Sequence, residues 1–299
     1  MRTSANTTIG VDVGGTRIRV ARITAEGALL DRVIEPVCQD AGGFLTQLLR
    51  LVDRMRDGAT AVGIGIPGRV DGRTKKILSA GYLDIAGLDL AAEVRQATGL
   101  PVRVENDATM ALIAEGFSRT GGRDGLVFMV TIGTGIGGAA LLDGQPWYGG
   151  GLSGQFGHIV VSSDGPLCKC GRRGCVETFS SGTALGRLMA EAGMPKDIRA
   201  EDVLSRAKAG DGQARVLLDV WAAPLQRALQ SLVSMADPKL ILVGGGLGQE
   251  MSAALAHLPD ESHWFTVPVE PARLGDTAGV IGAGLAAFDM ASEMTGQFR

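Results

Sequence analysis

Three of the chain's four cysteines, Cys168, Cys170 and Cys175, fall within eight residues, and one of its three histidines, His158, stands ten residues before them. A segment that brings four such groups to one point must be a tight loop tied across itself. Zinc takes four soft or borderline ligands in a tetrahedron, and three thiolates with one imidazole supply them. Gly171 and Gly174 let the loop bend sharply enough to aim three sulfurs inward. A disulfide is the competing reading, but Cys168 and Cys170 are too close in sequence to bridge comfortably, and nothing marks the chain for export. The spacing predicts structural Zn²⁺ on His158, Cys168, Cys170 and Cys175.

The chain's 299 residues are enough to bury a large core, and the length favours two domains. Hydrophobic residues at 45% and charged residues at 20% are those of a soluble globular enzyme. A net charge of −3 favours neither nucleic acid nor an anionic membrane. The first eight residues are polar and Asp12 interrupts the first apolar run, so no signal peptide is expected. No apolar stretch reaches membrane-spanning length. Free thiols in a metal-like pattern fit a reducing cytoplasm.

The 45 glycines cluster after apolar runs, as turns do that bring bare backbone to a ligand. Residues 8–13 read as a buried strand ending at Gly14-Gly15. Residues 17–23 alternate as a half-buried strand, and 29–37 make a third, giving a meander. In the turn from Asp12 to Arg17, Gly14 and Gly15 free backbone N–H groups for an anion, Thr16 adds a hydroxyl, and Asp12 is placed to hold Mg²⁺, usually through water. A plain hairpin turn explains the same residues.

Residues 44–55 have helical spacing, 61–66 read as a strand ending at Pro67-Gly68, and 88–98 as a helix closed by Gly99. A strand at 102–104 ends on Glu105-Asn106-Asp107-Ala108. Ligands of open α/β sheets lie at the carboxyl ends of strands. There Asn106 can bond a hydroxyl and Asp107 can take its proton, although Asn or Asp before an apolar helix is also a routine N-cap. The strand 126–131 leads into Gly133-Thr134-Gly135-Ile136-Gly137-Gly138, a second glycine hairpin returning at 139–142. Two such hairpins make a weak internal repeat and imply two similar halves. A helix begins near Thr183. A long one spans 213–236, with Pro224 expected to kink or divide it. A strand at 240–243 ends in Gly244-Gly245-Gly246, and 278–294 reads as an Ala- and Gly-rich helix.

D-x-G-G-T at Asp12, P-G at Gly68, E-N-D-A at Glu105, G-T-G-I-G-G at Gly133, and the Gly157-His158 plus cysteine module occur in that order over nearly the whole chain. Together they resemble the ROK family of bacterial sugar kinases and sugar-responsive repressors; the cysteine module is the most specific. The resemblance implies an α/β fold of two ribonuclease-H-like domains, as in actin-like and hexokinase-like ATPases, with a cleft between them. Residues 1–118 and a C-terminal helix at about 283–299 would form the small domain, and 119–282 the large one with the zinc loop. The boundary is placed in the loop around Ser118 to Gly125.

The family's activity would make the chain an ATP-dependent kinase for the 6-hydroxyl of a hexose or N-acylhexosamine: glucose, N-acetylglucosamine or N-acetylmannosamine. Asp107 would be the catalytic base. Gly68, Arg69, Asn106, Asp107, Gln155, His158 and Glu177 would bind the sugar. ATP and Mg²⁺ would sit on Asp12, Gly14, Gly15, Thr16, Arg17, Thr134, Gly135, Gly137, Gly138, Gly245 and Gly246, the last two against the adenosine. His158 would give one ring nitrogen to zinc and the other to a sugar hydroxyl. A homodimer or homotetramer is the family's habit. Three positions depart from the pattern: Arg17 replaces a frequent Lys, Ala139 a third Gly, and Gln155 the usual Glu. An amide has one acceptor and one donor where a carboxylate only accepts, which favours a sugar presenting an acceptor such as an N-acetyl carbonyl. The rival reading is a catalytically weak or inactive sugar sensor acting through a protein partner. About seven residues precede the first strand, so no helix-turn-helix for DNA is expected.

Overall fold

The computed structural model describes residues 6–81, 83–119, 124–259 and 268–295. Within them the chain divides into two compact units: residues 6–119, 144–153 and 276–295 form one, and 124–143 and 154–275 the other. Residues 120–123 of the expected boundary loop lie outside the described residues.

In the first unit, β1 (Thr7–Val13), β2 (Arg17–Thr24) and β3 (Leu29–Pro36) form the expected meander. Then come α1 (Ala41–Arg54), β4 (Ala59–Ile66), a small hairpin of β5 (Arg69–Val70) and β6 (Ile77–Ser79), α2 (Leu90–Thr98), β7 (Val102–Asn106) and α3 (Asp107–Phe117). Asp40 caps α1 by accepting the Gly43 N–H at 2.8 Å, and Gly99 ends α2 in the left-handed region at φ 72°. The sheet runs β3-β2-β1-β4-β7. Its first three strands are antiparallel, whereas β1, β4 and β7 are parallel.

The second unit contains β8 (Leu126–Ile132) and β9 (Ile136–Leu142). The two-residue strand β10 (Gln145–Pro146) comes next in the chain, then a 3₁₀ turn at Phe156–His158. After these follow α4 (Glu177–Ser180), α5 (Gly182–Glu191), α6 (Ala200–Lys208), α7 (Gly212–Ala236), β11 (Leu240–Gly244), α8 (Gly248–Leu255) and β12 (Val269–Pro271). Its strands run β9-β8-β11-β12, antiparallel then parallel, as β2-β1-β4-β7 do in the first unit. The internal repeat suggested by two glycine turns is thus a repeat of topology. Trp221, Leu225 and Leu229 of α7 pack with Phe128 and Val130 of β8 in this unit's core.

Two local expectations need correction. The second hairpin turn is only Gly133–Gly135, because β9 already begins at Ile136. Gly137 and Gly138 are therefore strand residues paired with Thr131 and Val130. Of the kink or division expected at Pro224, the division does not occur: α7 runs through it as one helix. Pro224 deprives the Val220 carbonyl of its helical donor, but Val220 is 52% exposed, so water can replace it.

The chain's last helix, α9 (Ala278–Thr295), returns to the first sheet. β1 puts Ile9, Val11 and Val13 on one face and Thr8, Gly10 and Asp12 on the other. β4 likewise alternates Val62, Ile64 and Ile66 with Ala61, Gly63 and Gly65. The large face packs against Phe44, Leu48 and Leu51 of α1 and Val94 of α2. The small face lets α9 lie on bare backbone: a Cβ on Gly63 would stand 1.9 Å from the Ala283 carbonyl oxygen, and one on Gly10 2.0 Å from that of Val280. Glycine inside a helix costs about 1 kcal/mol against alanine; at Gly282 the return is equally close approach to Met110 of α3. No helix among the described residues is long and apolar enough to cross a membrane.

Candidate active site

The first glycine hairpin is closed by Gly14 N–H donating to the Arg17 carbonyl at 2.8 Å. Neither Gly14 nor Gly15 has positive φ, and a Cβ on Gly14 would stand 3.2 Å from the Arg17 carbonyl oxygen. Thr16 and Arg17 are exposed at its tip. Asp12, at the end of β1, stands opposite Arg19 in register, and Arg19 bridges Asp12 and Asp276, each at 3.2 Å. A Cβ on Gly279 would lie 2.6 Å from Asp12 Oδ1, so the first turn of α9 must be bare there. Burial raises the Asp12 carboxyl above its usual range, and the Arg19 guanidinium opposes the rise.

Asn106 and Asp107 lie where β7 becomes α3. Asn106 is the N-cap: its Oδ1 accepts the Ala108 N–H at 2.9 Å, and its Nδ2 donates to the Gly68 carbonyl at 2.7 Å. The capping alternative is therefore true of Asn106, which leaves Asp107 as the first helical residue. Asp107 Oδ1 shares the same Ala108 N–H at 2.8 Å. Asn106 and the backbone N–H of Asp107 itself also favour the charged form of this carboxyl. Burial, and next the charge of Asp12, push the Asp107 carboxyl up to about 7. Gly68 holds φ 92°, and a Cβ there would meet the Ser79 carbonyl at 2.4 Å, so this turn requires glycine. Arg69 beside it is exposed.

In the second unit, Gly133 N–H closes the other hairpin on the Gly135 carbonyl at 2.9 Å. The start of α5 seals it: Gly182 N–H donates to Gly133, and the Thr183 hydroxyl to the Thr134 carbonyl, both at 2.8 Å. Glu177 Oε2 accepts the Ile136 N–H at 2.9 Å, and a Cβ on Gly135 would come within 2.5 Å of that oxygen. Glu177 thus fixes the hairpin's exit. Gly245, at φ 84°, presses on the backbone of Ile132, whereas Gly246 faces open space. Gln155 is exposed, and its side chain makes no hydrogen bond as the cap of the 3₁₀ turn.

The zinc-type residues converge as the spacing predicts: one ligand atom each from His158, Cys168, Cys170 and Cys175 lies within 4.8 Å of all the others. Cys168 Sγ is 3.6 Å from His158 Nδ1, and Cys170 Sγ is 3.5 Å from Cys175 Sγ. Tetrahedral zinc with ordinary bond lengths sets such edges at about 3.5–3.8 Å, so the donor set fits. The Arg172 backbone N–H draws the Cys170 thiol down to about 7, toward the thiolate a metal needs. Nδ1 faces the sulfurs, which leaves Nε2 for another partner.

Sequence reasoning did not single out Arg19. Counting outward from the Gly14-Gly15 turn puts it directly across from Asp12, so the hairpin register carried the signal. It also passed over Glu105, two of whose partners, Lys75 and Tyr148, are distant in sequence.

Two sheets of this order, each with a glycine hairpin between its first two strands, define the ribonuclease-H-like class of actin-like and hexokinase-like ATPases. The sequence pattern of the ROK family matches residues 8–289. A glucokinase of Halalkalibacterium halodurans is 31% identical, covering 92% of this chain and 93% of its own. An N-acetylmannosamine kinase of Escherichia coli is 32% identical, over 94% and 98%. The crystal structure of a ROK family glucokinase from Streptomyces griseus, in complex with glucose and AMPPNP, is 31% identical. It covers 95% of this chain and 100% of its own, with a TM-score of 0.78. The chain belongs to the ROK family.

Proposed function

We propose that this chain is a sugar kinase that transfers the γ-phosphoryl group of ATP to the 6-hydroxyl of a hexose or N-acylhexosamine, with Asp107 as general base. The observation that carries this is the placement of Asp107 at the carboxyl end of β7, its Oδ1 anchored to the first turn of α3 and its carboxyl pushed up toward neutrality by burial. A base is most effective when its pKa lies near the working pH, and a positioned one contributes about 10²–10⁴-fold. The glucokinase and N-acetylmannosamine kinase relatives support the substrate class.

The remaining roles are assigned by chemistry. The Gly14–Gly15 and Gly133–Gly135 hairpins supply backbone N–H groups to phosphate, with Thr16, Arg17 and Thr134 beside them. Asp12 would hold Mg²⁺, which binds through one or two carboxylates together with substrate phosphates and offsets their charge. Arg19 fixes the Asp12 carboxylate from behind. Gly245 and Gly246 offer bare backbone to the adenosine. Gln155, Glu177 and His158 Nε2 are the hydroxyl-orienting groups of the second unit, with Gly68, Arg69 and Asn106 those of the first. Zinc is structural, holding the loop so that His158 presents Nε2 in a fixed direction. A reducing cytoplasm and a homo-oligomer complete the reading.

The test is ADP release from ATP and Mg²⁺ across glucose, mannose, fructose, allose, glucosamine, N-acetylglucosamine and N-acetylmannosamine. Turnover with one sugar, lost in Asp107→Ala, is expected. A folded, zinc-replete protein that turns over none of them would favour a sugar sensor or a sugar outside this set.

A further inference from the structure

Glu105 is 1% exposed, one residue before Asn106, and its Oε1 is the meeting point of three donors. Lys75 Nζ lies at 2.6 Å, Arg103 Nε at 3.2 Å, and the Tyr148 hydroxyl donates a short hydrogen bond to the same oxygen. The Lys75 ammonium also sits 4.0 Å from the Tyr148 ring centroid, and Arg103 Nη1 reaches the Ala286 carbonyl of α9 at 3.3 Å.

The cluster is built at some cost. Lys75 has φ 58°, a strained conformation for a residue with a side chain, in the turn that joins β5 to β6. Asp71 braces that turn by accepting the N–H groups of Arg73 and Thr74 through Oδ1. Gly72 lies on Tyr148 so closely that a Cβ would stand 2.1 Å from the ring, and its N–H donates to the Gly151 carbonyl at 3.0 Å. Arg73 reaches the Gly149 carbonyl at 2.9 Å. The 71–76 turn and the 144–153 segment therefore clasp each other, with Glu105 bonded to both.

A buried ion cluster is a poor way to gain stability, since desolvation offsets most of the attraction. What it provides here is a closed circuit. Asn106 bonds Gly68 at the base of the β5–β6 hairpin; the tip of that hairpin carries Lys75; and Lys75 returns to Glu105, next to Asn106. Successive strand residues point to opposite faces. Pinning the side chain of residue 105 therefore fixes the rotation of β7, and with it the direction of Asn106 and the first turn of α3.

We propose that Glu105 is a positioning residue for the Asn106–Asp107 pair, held by Tyr148 and Lys75. The inference rests on Asp107 being the base. It acts through geometry, because Glu105 touches no reacting atom, and a misplacement of about 1 Å at a catalytic group costs about 10²-fold.

The experiment uses full-length Tyr148→Phe and Lys75→Met, which keep much of the buried shape, alongside Glu105→Gln. Melting temperature, kcat, KM for ATP and hydrogen exchange at the Ala108 amide are measured on each. The expected result is a kcat lower by about 10- to 100-fold, with KM for ATP held within about twofold. Exchange at Ala108 should quicken in every variant, because both of its acceptors, Asn106 Oδ1 and Asp107 Oδ1, are released. If Tyr148→Phe and Lys75→Met lower the melting temperature but leave kcat and Ala108 exchange as they were, the cluster is structural only and the proposal is wrong. A wild type without turnover would defeat the kinase reading separately, and Ala108 exchange in the variants would still decide this one.

Discussion

Arg19 stands across the β1–β2 ladder from Asp12, and its guanidinium nitrogen Nη1 lies 3.2 Å from Asp12 Oδ2. It opposes the upward push that burial gives the Asp12 carboxyl. Asp12 in turn helps to raise Asp107. The charge of Asp12, with Arg19 beside it, is therefore part of what sets the ionisation of Asp107. With Asp107 ionising at about 7, kcat/KM should fall about tenfold per pH step below neutrality as the base is protonated. Arg19→Met removes the cation that favours ionisation, so the acid limb of the pH–rate profile should move to higher pH. A limb that stays in place would show that Arg19 does not control that ionisation.

Asp107 should also weaken the fold. Its pKa when folded, about 7, is far above the roughly 3.9 of an unfolded chain. Between those values the native state holds a proton that the unfolded state has lost. Stability from this group is thus present at low pH and declines as pH rises through the window from about 4 to about 7. Asp107→Asn keeps an acceptor for the Ala108 N–H but cannot ionise. Denaturant melts should show it more stable than wild type at pH 8, by on the order of 1–2 kcal/mol after discounting for solvent screening. The difference should vanish near pH 4.

Gln155 is exposed with its amide unengaged, so Gln155→Glu changes recognition without disturbing the fold. A carboxylate can accept from two neighbouring hydroxyls but cannot donate to a carbonyl. The ratio of kcat/KM for glucose over N-acetylglucosamine and N-acetylmannosamine should rise, by about tenfold for one such hydrogen bond. An unchanged order of preference among the three sugars would remove Gln155 as a specificity determinant.

Metal analysis of the purified protein should give one zinc per chain. Cys168 is buried and 3.6 Å from His158 Nδ1, so Cys168→Ser should lose the metal. Hydrogen exchange across residues 158–177 should then increase, since the ion ties together ligands ten and more residues apart. Full protection in a metal-free sample would mean that the thiols hold the loop by themselves.

Gly63 is expected to be intolerant of any side chain. Its Cβ would lie 1.9 Å from the Ala283 backbone oxygen, and backbone at a helix–sheet contact cannot move aside cheaply. Gly63→Ala should cost about 3 kcal/mol or more. Gly186, inside α5 with no atom within 4 Å of its would-be Cβ, is the control. Gly186→Ala should raise stability by about 0.5–1 kcal/mol. Thermal melts of the two variants decide the point.

What could be read from sequence was local. The buried run of β1, the alternation in β2, the glycine turn between them, Gly99 after α2 and the cysteine spacing each state a short-range rule, and each holds in the structure. Asn106 shows the limit: its capping role follows from its neighbours, but its bond to Gly68, 38 residues away, does not. Glu105 reads as an acid in a short motif until Tyr148, 43 residues on, and Lys75 are brought to it. The extent of the second hairpin turn was hidden because Gly137 and Gly138 look like turn residues; only pairing with β8 makes them strand. Pro224 reads as a kink or a division from its own chemistry, and that the helix continues through it is settled only by the packing around α7.

The position of α9 has a consequence in time. A ribosome that has finished β7 must add roughly 170 more residues before Ala278 emerges, which at common synthesis rates is about 9–35 s. Throughout that interval the glycine-lined face of the first sheet lacks the helix that covers it, while its other face already has α1 and α2. The nascent chain must therefore wait half-closed, with Gly10 and Gly63 open to whatever passes. Its dependence on chaperones should be settled by the arrival of its last turns rather than by the strength of its first ones.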